Sequence, residues 1–140
     1  MTRESSRSRA RELVLQTLYA CEHGESEPDV AFDDITRENP LSDRNTGFAR
    51  NLLHLVIENS AAADKHIAEL AENWKLERIA AIDRSILRMA MTELAMITDT
   101  PVKVVLNEAI ELAKKYSTLE SSKFVNGILD NFVKQQRQLK

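Results

Sequence analysis

The chain has 140 residues, 43% of them hydrophobic and 29% charged, with a net charge of −3. That apolar share is enough for a packed core and too high for a disordered chain, and the mild acidity argues against a surface coated for nucleic acid. The single Cys21 excludes an internal disulfide framework, and no apolar run reaches the roughly 18 residues of a membrane span. The polar, basic start has no signal-peptide pattern, so a reducing, cytoplasmic location is expected. Three Gly and three Pro leave few places for hairpin turns, and the prevalence of Ala, Leu, Glu, Lys and Arg favours an all-α fold.

Ser5 or Ser6 can cap a first helix that reaches about His23, with Ala10, Leu13, Val14, Thr17, Leu18 and Cys21 as its apolar stripe. Cys21 on that stripe reads as an inert buried thiol. Arg3, Arg7 and Arg11 stand four residues apart, a basic column beside the stripe, and Tyr19 extends the same side. Arg9 lies about 160° round the helix from Arg7 and Arg11. Positive charge is therefore local to the start of the chain, and the acidic excess gathers at 22–38. Taken alone, these arginines read as a solvated N-terminal tail sooner than as a binding surface.

A linker at 24–28 leads to a short acidic helix, Asp29 to Glu38, with Val30, Ala31, Phe32 and Ile35 as apolar contacts and Asn39-Pro40 as its stop. Ser42 opens the next helix, which buries Phe48, Leu52, Leu55 and Val56, and Gly47 inside it hints at a close crossing. Ser60 or Asp64 restarts a helix with Ile67, Leu70, Ala71 and Trp74 on its face. Trp74 to Arg78 reads as a hinge, with a soft sub-bundle boundary near 75–78 inside a single domain, 1–140. Ile79, Ile82, Ile86, Met89, Ala90, Leu94 and Ile97 then mark a central helix whose exposed side carries Asp83, Arg84 and Arg88. Glu93 sits among apolar residues and needs a structural partner.

Thr100 as cap and Pro101 as first residue open a helix with Val102, Val105, Leu106, Ala109, Leu112, Ala113 and Tyr116 as its stripe. After a Ser-rich connection, where Ser117-x-x-Glu120 fits a capping box, the pairs Phe124-Val125, Ile128-Leu129 and Phe132-Val133 recur every four residues. Gly127 suggests close helix packing. The sum is an all-α bundle of about seven helices in two packed sub-bundles.

Catalytic chemistry finds no footing. His23, His54 and His66 fall on three different segments, His66 and Glu69 pair only at i, i+3, and there is no Cys cluster, no phosphate-cradling Gly loop and no Glu-x-x-His motif. Neither a metal nor a cofactor is expected. Single-stranded RNA asks instead for cations on phosphates and aromatic faces for bases. Phe124 beside Lys123 at a helix start fits that need, and fits equally well as a core residue in register with Ile128.

VVLNEAIELAKKYS followed by SSKFVNGILD resembles the C-terminal signature of the NusB family of transcription antitermination factors. IDRSILRMAMTEL is similar to the family's central helix, and SRARELVLQTLY to its opening, where Ser8 replaces a usual Arg. The resemblance is dense over 7–19 and 82–132 and thin over 24–60. It implies a binding protein that is not an enzyme. Its RNA would be a boxA-type single strand from ribosomal RNA transcripts, taken up with the ribosomal protein NusE and coupled to the RNA polymerase antitermination complex. It implies RNA contacts at Arg7, Arg9, Arg11, Glu120, Lys123 and Phe124, joining the N-terminal arginines to the start of the last helix. It places the protein partner at Tyr19, Asp83 and Arg88. A homodimer is compatible with it, since some family members self-associate. A NusB-like domain also occurs fused to ribosomal RNA methyltransferases, but a chain ending at Lys140 without a catalytic domain is expected to be the free-standing factor.

Overall fold

The computed structural model describes residues 7–24, 26–71 and 78–138, with side chains as far as Gln136. Seven helices and no strand occur among the described residues: α1 Arg7–His23, α2 Pro28–Glu38, α3 Asp43–Glu58, α4 Ser60–Leu70, α5 Ala81–Met96, α6 Val102–Tyr116 and α7 Leu119–Gln138. Arg3, the Ser5 or Ser6 cap, Trp74 and most of the hinge lie outside the described residues. The chain forms two compact units, 1–57 and 58–140, the division falling in the last turn of α3. The unit boundary thus precedes the stretch 75–78, because α4 packs against α5 and α7 and belongs with them.

In the first unit α1 packs along α2. Positions Ala10 to Leu15 are all buried, more than a full turn of helix, so α1 has no solvent face there. Thr17 is buried and donates its hydroxyl to the Leu13 carbonyl at 2.7 Å. Leu18 and Cys21 are only half-buried, and burial followed by the nearby Glu27 pushes the Cys21 thiol up. The acidic stretch is helical, starting on Pro28, which needs no N–H there, and ending where the Asn39 N–H and side-chain amide both reach the Ile35 carbonyl at 3.0 Å. Phe32 is fully buried, whereas Val30, expected as a contact, is 55% exposed. Ser42 caps α3 by accepting the Asn45 N–H at 3.1 Å.

An ion cluster ties α2 to α3. Arg50 donates to Asp29 at 2.9 Å and to Asp33 at 2.7 Å, His54 Nε2 lies 2.8 Å from Asp29, and the Arg50 guanidinium covers the Phe32 ring at 4.8 Å. The hydrogen bond with His54, and then that with Arg50, holds the Asp29 carboxyl below its ordinary value of 3.8. A carboxyl lowered in the folded state stabilises it above the unfolded pKa and loses that contribution as the pH falls through the folded one. Asp29→Asn is therefore expected to flatten the loss of stability on acidification below 3.8. Urea midpoints compared across that range check it, and an unchanged acid limb would contradict it.

In the second unit α6 and α7 form an antiparallel hairpin, with α5 against both and α4 against α5 and α7. The stripe of α7, Val125, Ile128, Leu129, Phe132 and Val133, is buried as its spacing predicts. Thr100 does not cap α6: the cap position is Pro101, with no side-chain cap bond, and the Thr100 hydroxyl is buried without a partner. Val102 and Val104 are exposed, and the α6 core runs through Val105, Ala109, Leu112 and Ala113. The cap of α7 is Thr118, which accepts the Ser121 N–H at 3.0 Å, while the Ser117 N–H closes the end of α6 on the Ala113 carbonyl. The Ser117 box is thus displaced by one residue.

The supposed exposed side of α5 is mostly covered, since the helix is flanked by α4, α6 and α7. Asp83 is 5% exposed and Glu93 2%. Neither glycine marks a close crossing: a Cβ at Gly47 or Gly127 meets nothing within 4 Å. Gly127 lies on the exposed face of α7, so its lack of a side chain only costs helix propensity. Gly127→Ala is expected to stabilise the chain by about 0.5–1 kcal/mol, read as a higher denaturation midpoint. A lower midpoint would restore the close-packing account.

Candidate nucleic-acid interface

In the first unit the i, i+4 spacing of Arg7 and Arg11 brings both guanidinium groups onto one ring, Phe48 of α3, at 4.4 Å and 5.1 Å from its centroid. Arg11 is only 4% exposed, while Arg7 is half-buried at the start of the helix. Arg9 points elsewhere, donating to Glu12 and to the Asn39 side chain, both at 2.7 Å. The column of Arg7 and Arg11 is thus present, with Arg9 off it. Phe48, read from the sequence as plain core, also serves as the platform under two cations. Tyr19 is 44% exposed near the end of α1 and stacks on His23 at 4.1 Å, with Nδ1 of His23 3.0 Å from the Tyr19 carbonyl.

In the second unit the start of α7 and the approach to α5 enclose a cleft of about 560 Å³, lined by Arg78, Ile79, Ala80, Asp83, Glu120, Ser121, Lys123 and Phe124. Glu120, Lys123 and Phe124, singled out as RNA contacts, therefore share one wall set with Asp83, singled out as a partner contact. The Thr118 cap starts the helix at Leu119, so Phe124 stands in its second turn, half-buried, while Val125 behind it is fully buried. Asp83 Oδ1 is buried with no hydrogen-bond partner. Arg88 is held in a bidentate pair by Asp64 of α4, Nε to Oδ1 at 2.6 Å and Nη2 to Oδ2 at 2.8 Å.

The charges in the cleft balance, Arg78 and Lys123 against Asp83 and Glu120. Such a wall suits a base, with one ring for stacking and carboxylates to accept from exocyclic amines, better than it suits a bare phosphate. Arg78 was passed over in the sequence as part of a hinge; a lone cation just before a helix was its only signal. Among the described residues no cluster of His, Cys, Asp and Glu could hold a metal ion, and no helix is long and apolar enough to cross a membrane.

An all-helical chain with an aromatic and mixed-charge cleft at a helix start has the makings of a nucleic-acid-binding protein. The sequence profile of the NusB family matches residues 8–134, and the chain belongs to that family. It is 46% identical over 127 residues to the transcription antitermination protein NusB of Salinibacter ruber, covering 90% of this chain and 79% of that protein. The NusB of Chloroherpeton thalassium is 45% identical over 126 residues, 89% of this chain; the chain spans 60% of that relative's length. Among solved structures, NusB of T. maritima superposes with a TM-score of 0.85 at 35% identity, covering 92% of this chain and 91% of that one. A complex of antitermination factors NusB and NusE with double-stranded RNA contains a chain with a TM-score of 0.85 at 22% identity, covering 96% and 99%, a likeness of fold.

Proposed function

We propose that this chain is an antitermination factor that binds a boxA-type single strand of ribosomal RNA transcripts together with the ribosomal protein NusE, and so tethers it to RNA polymerase. It acts by binding, with no bond made or broken. The observation that carries this reading is the convergence of Phe124, Lys123, Glu120 and Asp83 on one cleft. Family membership and the NusB–NusE–RNA assembly of a protein with the same fold support it. A half-buried ring on a cleft wall favours an unpaired base, which can be splayed onto it, over a duplex, whose bases are stacked away.

On this reading Arg7 supplies a phosphate contact in the first unit, with Arg11 beneath it fixing the Phe48 platform and Arg9 in a lesser role. Lys123 and Phe124 hold one nucleotide in the second unit, and Glu120 reads a base edge. Tyr19, an exposed ring, is assigned to the ribosomal partner, while Asp83, only 5% exposed on the cleft wall, is assigned with Glu120 to the RNA cleft instead of to the partner. Arg88, engaged by Asp64, contributes by fixing α5 rather than by reaching outward. Fluorescence anisotropy with a boxA-type strand, a scrambled strand and the corresponding duplex tests the assignment. The boxA-type strand is expected to bind tightest, and equal binding of all three would remove it.

A further inference from the structure

One wall of the cleft comes from residues 78–80, which precede α5 and lie outside the α-helices. Arg78 and Ala80 are exposed, while Ile79 between them is buried and pins the stretch to the core. Two hydrogen bonds reach back to this stretch from the first turn of α5, and both come from Arg84. Its N–H donates to the Ala80 carbonyl at 2.9 Å, and its guanidinium Nη1 donates to the Ile79 carbonyl at 3.3 Å. The first is the ordinary bond of a helix start. The second spans five residues and follows from no helix geometry, so the path of the chain before α5 depends on this side chain. Arg84 is half-buried and is not among the residues lining the cleft, so it can act on a bound strand only through the stretch it holds. Arg78, by contrast, shares the cleft with Lys123 as one of its two cations.

We infer that Arg84 is a positioning residue for the RNA cleft: through the Ile79 carbonyl it fixes residues 78–80, and so sets Arg78 in place for the phosphate of the nucleotide stacked on Phe124. Ordering an exposed arm at the moment of binding costs affinity, and a stretch already ordered avoids that loss. A charged donor suits the task, because its hydrogen bond to a carbonyl is stronger than that of a neutral one. The inference rests on the RNA reading of this cleft.

The test pairs RNA binding with backbone motion in the full chain. In the free wild type, amide relaxation at Ile79 and Ala80 is expected to give order parameters of about 0.85, the value of rigid backbone. Arg84→Met keeps the stem without the donors, and should bring them below about 0.6. It should also weaken boxA-type RNA about threefold to tenfold and lower the slope of log affinity against log salt by about 0.7, the share of one phosphate contact. Arg78→Gln should do the same to RNA binding with both amides still rigid. The double variant should bind no more weakly than Arg78→Gln alone, since Arg84 acts through Arg78. Arg84→Lys keeps a donor and is expected to restore both readouts. Arg84→Gln, polar but too short to reach the carbonyl, takes the place of the methionine variant if that one loses its fold. Rigid amides or wild-type RNA affinity in Arg84→Met, or losses that multiply in the double variant, would overturn the inference. A wild type that binds a scrambled strand as tightly as boxA-type RNA would instead remove the RNA reading, and this inference with it.

Discussion

Phe124→Ala is expected to weaken binding of boxA-type single-stranded RNA by about 1–3 kcal/mol, roughly 5- to 150-fold, without changing its salt dependence. The ring is half-buried on the cleft wall, and the buried stripe of α7 is carried by Val125, Ile128 and Leu129, so the fold should survive its loss. Stacking is indifferent to counterions, whereas phosphate contacts release them. Arg7→Gln should therefore do the opposite, lowering the slope of log affinity against log salt by about 0.7 with a smaller effect on stacking. Arg11, 4% exposed over Phe48, should act on stability before it acts on that slope. A salt titration of the variants separates the two kinds of contact. Wild-type affinity in Phe124→Ala would mean that the ring is only a wall.

The second large effect is expected on stability. Asp64→Ala should cost about 1–3 kcal/mol, because it strips a bidentate partner from the Arg88 guanidinium. A fully buried pair broken on one side would cost about 3–5 kcal/mol. Here the side chains are 22% and 25% exposed, and water recovers part of the loss. A double-mutant cycle with Arg88→Met should reveal a coupling of about 0.5–3 kcal/mol, since the two are in direct contact. Additive losses would show that Arg88 is not anchored by Asp64, and would return it to the candidates for an outward contact.

Helices that bury one face were legible in the sequence, and helices covered all round were not. In α3 and α7 the apolar letters recur at helical spacing, and the structure buries Phe48, Leu52 and Val56, and Val125, Ile128 and Phe132, along those stripes. In α1 and α5 Arg11 and Asp83 were read as surface groups, yet both are buried, whereas Glu93, expected among apolar residues, is buried there. Periodicity cannot show this, because the partners that let a charge be covered lie far away in sequence, as Asp64 does for the half-buried Arg88. The glycines misled for a related reason: absence of a side chain is compatible with a close approach and with open space, and Gly47 and Gly127 have the latter. For the candidate site, Glu120, Lys123 and Phe124 were legible because they are near neighbours at one helix start. Their meeting with Arg78 and Asp83 is made by the packing of α5 on α7, which no local pattern encodes.

The central claim is that RNA and the ribosomal partner are bound as one linked assembly. Calorimetric titration of the full chain with boxA-type RNA, with and without NusE, tests it most directly. Linked binding is expected to tighten the RNA by roughly 5- to 150-fold when NusE is present, with the same factor recovered for NusE when RNA is present. An RNA affinity that NusE leaves unchanged, and that a scrambled strand matches, would contradict it.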